Sequence, residues 1–74
     1  MVGQTWAVES ELGELRRRLE VIAEELAGLG YGKLKEAAES ASTKAEAQER
    51  LLSRARRSVL KAAALLGQVE RDEQ

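Results

Sequence analysis

The chain contains no cysteine, no histidine, no proline and no phenylalanine, and it has one tryptophan and one tyrosine. Without cysteine there is no disulfide to staple a small fold, and the chain is compatible with a reducing cytoplasm. Without histidine or cysteine the ordinary zinc ligand sets are missing, as are the usual nucleophile–base pairs. Neither sign of charge dominates, with 12 basic and 13 acidic residues, so no overall field selects nucleic acid, an anionic membrane or an acidic substrate. No window approaches the ~18 uninterrupted apolar residues of a membrane span. The opening residues lack a basic segment followed by an apolar run, so no signal peptide is visible. No proline-rich, Gly/Ser-rich or low-complexity linker marks a second domain.

Chemistry is poorly provided for. Ser10, Ser40, Ser42, Ser53 and Ser58 have no strand–turn–helix elbow to present them. Glu24 with Glu25, and Glu36 with Glu39, lack companion ligands for a hard cation and read as solvated helix faces. Gly28, Gly30 and Gly32 follow a helix rather than a strand and lack the Lys-Ser/Thr end of a phosphate loop. We therefore expect no enzyme, no metal and no cofactor.

What is present is an apolar stripe, Val8, Leu12, Leu15, Leu19, Ile22, Leu26 and Leu29, stepping by four and three without a slip. That period keeps one side of an α-helix facing a partner. Thr5 is the expected N-cap of a first helix over about 5–29, and Glu9 and Glu11 suit the positive end of its dipole. Gly13 falls on the outside, unexplained unless something approaches it closely. Gly30 fits a left-handed C′ position with Tyr31 folding back on Leu26, so 30–32 reads as a glycine turn.

From Lys33 the helical signal resumes over 33–71, through Leu34, Ala38, Ala41, Ala45, Gln48, Leu52, Ala55, Val59, Ala62, Leu66 and Val69. Its in-phase repeat favours one long helix. Ser40, Ser42 and the capping box Thr43-Lys-Ala-Glu46 favour a short connecting helix or a break near 40–43, and the residues leave both open. Leu51, Ala63 and Leu65 widen this stripe, as when a helix meets two neighbours.

The expected fold is one all-α domain over 1–74, an antiparallel helical hairpin or coiled coil. A 74-residue chain buries little surface and its large apolar supply is thin, so we expect self-association, a homodimer first, into a four-helix-type bundle. The predicted association seam is Leu12, Leu15, Leu19, Ile22 and Leu26, with Leu52, Val59 and Leu66 opposite. The expected function is a non-enzymatic oligomerisation or adaptor module acting on itself or on another helical protein. Trp6 is a candidate partner anchor, since tryptophan is enriched at interface hot spots. Arg50, Arg54, Arg57 and Lys61 step by four, three and four along one helix face, with Arg56 beside them. Such a row follows a phosphate backbone, which gives the alternative of a small nucleic-acid-binding hairpin dimer. Against it, Glu46 and Glu49 lie near enough in sequence to neutralise the row, and no aromatic residue interleaves to stack bases. The amphipathic stretches carry many Glu and no Phe, so a membrane surface is not expected. The Ala, Arg and Gly bias suggests a bacterial, cytoplasmic protein.

Overall fold

A computed structural model describes the backbone of residues 2–73 and the side chains of residues 11–72. Two helices, α1 (Val2–Ser40) and α2 (Thr43–Glu73), run antiparallel as a hairpin in a rod of 60 × 14 × 11 Å. The all-α hairpin expected from the repeat is the fold. Its reversal lies where the serine and threonine cluster, not at the glycines.

Both ends of the reversal have a local cause. α1 stops because Ala41 takes a left-handed conformation, φ 50°, which an L-residue adopts at a cost of about 1–2 kcal/mol. α2 starts because Ser42 caps it. The Ser42 Oγ accepts the Ala45 N–H at 3.0 Å, and the Ser42 carbonyl accepts the Glu46 N–H at 3.2 Å. The cap is thus one residue earlier than the box anticipated at Thr43.

Two expectations are corrected. The predicted glycine turn at 30–32 is continuous helix, and no glycine has a positive φ among the described residues. Tyr31 is consequently no helix-end residue but lies on the exposed side of α1, 71% accessible. The first helix begins at Val2, so Thr5 lies inside it rather than capping it. Of the two readings left open for 33–71, the break near 40–43 is the one formed: residues 33–40 complete α1, and α2 starts at Thr43.

The helix runs through the glycines because tertiary pairing outweighs local propensity. A reversal at 30–32 would leave helices of very unequal length. A reversal at 41–42 gives 39 and 31 residues, so α2 is matched along its whole length. Gly28, Gly30 and Gly32 each sacrifice up to about 1 kcal/mol relative to alanine for this.

The inter-helix seam is built from small residues. Along α1 it follows Leu12, Arg16, Leu19, Ala23, Leu26, Gly30, Lys33 and Ala37, all buried or partly buried. On α2 the matching positions are Ala45, Glu49, Leu52, Val59, Ala63, Leu66 and Glu70. Ala23, Ala37, Ala45 and Ala63 form the core, at 2%, 8%, 0% and 4% exposure. Small side chains at these levels let the two axes approach closely.

One end of the seam is fastened by charge. Arg16 Nε donates to Glu70 Oε1 at 2.6 Å, and its NH1 donates to Glu20 Oε2 at 3.2 Å. The hydrogen bond and charge of Glu70 raise the Arg16 guanidinium above its ordinary pKa. Gly13 is explained here. A Cβ on it would stand 3.0 Å from Glu70 Oε2. Opposite, a Cβ on Gly67 would meet the Arg16 Cδ at 3.7 Å.

Candidate association face

The predicted association seam divides in two. Leu12, Leu19, Leu26, Leu52, Val59 and Leu66 are partly buried between the chain's own helices. Leu15 and Ile22 are not in that seam; they are 40% and 42% exposed on one flank of α1, in line with Leu29 at 61%. The cause is geometric. Leu12, Leu19 and Leu26 belong to two four-three repeats at once, one continued by Leu15, Ile22 and Leu29, the other by Arg16, Ala23, Gly30 and Ala37. The fold uses the second for its own seam and turns the first outward.

On the same flank α2 contributes Leu51, Leu65 and Val69, which are 61%, 52% and 41% exposed. Leu29, Lys33, Gln48, Leu51 and Leu52 line a single groove, which fixes the register of this side. Because the helices are antiparallel, stepping one heptad back on α1 and one forward on α2, ~10.5 Å each, brings Ile22 level with Ser58. A second step brings Leu15 level with Leu65. The result is an apolar face along the hairpin, with Ala55, Ser58 and Ala62 making its centre shallow. The other flank is more polar, carrying Glu20, Glu49, Ser53 and the Arg16–Glu70 pair beside Leu34 and Leu60.

The basic row occupies the back of α2. Arg50, Arg54, Arg57 and Lys61 are exposed and point away from α1, and Arg56 is exposed nearer the seam. Among the described residues, the ion pairs are Arg16 with Glu20 and Glu70, Arg18 with Glu14, and Lys33 with Glu36. None involves the row, so the expected neutralisation by Glu46 and Glu49 is not formed by direct contact. The side chain of Trp6 lies outside the described residues. No group of three or more His, Cys, Asp or Glu is placed to hold a metal ion among the described residues. No described helix is long and apolar enough to cross a membrane.

Compared with protein-family models, curated proteins and solved structures, the chain matches none. Its function must be read from its own residues.

Proposed function

We propose that this chain is a non-enzymatic helical oligomerisation module that self-associates through the face carrying Leu15, Ile22, Leu29, Leu51, Leu65 and Val69. One observation carries the reading: among the described residues, no side chain larger than alanine's is fully buried within the hairpin. A two-helix fold with an alanine core gains little from burial. Six large apolar side chains that would otherwise add to a core, Leu15, Ile22, Leu29, Leu51, Leu65 and Val69, stand 40–61% exposed on the open flank, where a second hairpin covers them. Its composition is compatible with a bacterial cytoplasm as the setting. The test is molar mass by light scattering behind a sizing column, across a hundredfold concentration range. A dimer or tetramer is the expected result. A folded monomer at every concentration would refute self-association and leave the face to a different helical protein.

A second reading is supported by the unpaired row Arg50, Arg54, Arg57 and Lys61 on the back of α2, which suits a phosphate backbone. It is compatible with association, because the row does not share the apolar face. Binding to single- or double-stranded nucleic acid should weaken steeply with salt and disappear in Arg54→Glu/Arg57→Glu. No shift of either nucleic acid in a gel at low salt would remove it.

A further inference from the structure

Resting on the self-association reading, we infer that the occupant of the apolar face is a second copy turned antiparallel, about a two-fold axis that crosses the face at right angles to the helices, level with Ile22 and Ser58. In that arrangement α1 packs on the partner's α1 and α2 on the partner's α2.

The face is itself symmetric. On α1 the apolar positions are Leu15, Ile22 and Leu29, evenly spaced about Ile22. At the same levels on α2 stand Leu65, Ser58 and Leu51, evenly spaced about Ser58. A two-fold axis through the middle level therefore lays Leu15 on Leu29 of the second copy and Leu51 on Leu65. It also brings Ile22 to Ile22 and Ser58 to Ser58. Isologous interfaces require this kind of self-matching surface.

Charge decides between this arrangement and its rivals. Arg18 and Glu25 lie between the apolar levels on the outer border of α1, one on each side of Ile22, and both are exposed. Under the antiparallel two-fold operation each Arg18 comes beside Glu25 of the other copy, so the border closes with two opposite-charge pairs. If α1 packed in parallel on a second α1, Arg18 would meet Arg18 and Glu25 would meet Glu25. If α1 packed on the second copy's α2, Arg18 would come near Lys61 and Glu25 near Arg54, one like-charge and one opposite-charge approach. Of these arrangements, only the antiparallel like-on-like one gives both Arg18 and Glu25 an opposite-charge partner at the α1 border while keeping apolar levels on apolar levels. Arg18 already donates to Glu14 at 2.6 Å. A guanidinium has five N–H donors, enough to serve a second carboxylate.

The chain's lack of cysteine makes the geometry directly testable by single cysteine substitutions in the full chain, with helicity checked by circular dichroism. Mixed Leu15→Cys and Leu29→Cys chains should form a disulfide-linked pair on mild oxidation, and Ser58→Cys alone should link to itself. Leu15→Cys alone should not, because the two copies of that position lie fourteen residues apart along the bundle, ~21 Å, beyond disulfide reach. Self-linking of Leu15→Cys, or failure of both expected links while the sizing column still shows a dimer, would overturn the antiparallel arrangement and leave self-association standing. A wild-type monomer would end both. Independently, Glu25→Arg should weaken the dimer about tenfold, and adding Arg18→Glu should restore it. A double variant no tighter than Glu25→Arg would refute the crossed pairing.

Discussion

Replacing Gly28, Gly30 and Gly32 together by alanine should make the protein more stable. All three lie in the interior of α1, and a Cβ built on any of them meets nothing within 4 Å. The substitution therefore adds no clash, while each site gains about 0.5–1 kcal/mol from better helix propensity and a less flexible unfolded chain. Three sites give about 1.5–3 kcal/mol per chain if they act independently. For a domain of this size that raises Tm by on the order of 10 °C. The assay is thermal unfolding followed by far-ultraviolet circular dichroism, at one fixed protein concentration because association shifts Tm. A lower Tm or lost helicity would refute the continuous helix, since alanine is penalised only where the chain needs a left-handed turn. Gly13→Ala provides an internal contrast. Its Cβ would stand 3.0 Å from Glu70 Oε2, so its gain should be smaller than that of Gly28→Ala.

Other substitutions test the reversal and the seam. Ser42→Ala removes the acceptor of the Ala45 N–H and should cost about 1 kcal/mol, whereas Thr43→Ala should leave Tm nearly unchanged; equal losses would mean the cap is misassigned. Ala45→Leu forces a larger side chain into a position with 0% exposure and should cost about 1–3 kcal/mol in urea unfolding. A neutral result there would show that the helices stand farther apart than the seam requires.

Much of the fold was legible because a four-three repeat allows few alternatives to a helix packed along one side. Leu12, Leu19, Leu26, Leu52, Val59 and Leu66 come out of that repeat alone. The reversal was harder, because local signals pointed to two places, the glycines at 30–32 and the capping box at Thr43–Glu46, and the repeat ran through both. Gly30 with Tyr31 matches a helix stop, while the residue that does adopt the left-handed conformation is Ala41, which has no propensity for it. Matching helix lengths was the better guide, since only a reversal near 41–42 leaves α2 paired throughout. The role of Leu15 and Ile22 was ambiguous for another reason. Hydrophobicity favours large residues, and Ala23, Gly30 and Ala37 at seven-residue intervals look weak beside them. Their smallness is what makes them suitable between two helices. Gly13 signalled a close approach, but Glu70 as its partner could not be read locally, because it depends on the register of two segments far apart in sequence.

The position of the reversal also determines where things attached to the chain would go. Both helices return to one pole of a 60 Å rod, so segments joined to either terminus leave from the same pole. In the antiparallel pair proposed above, the two copies would present these poles in opposite directions. An assembly of that proposed form would act as a strut, holding whatever each copy carries about one rod length, 60 Å, apart instead of side by side.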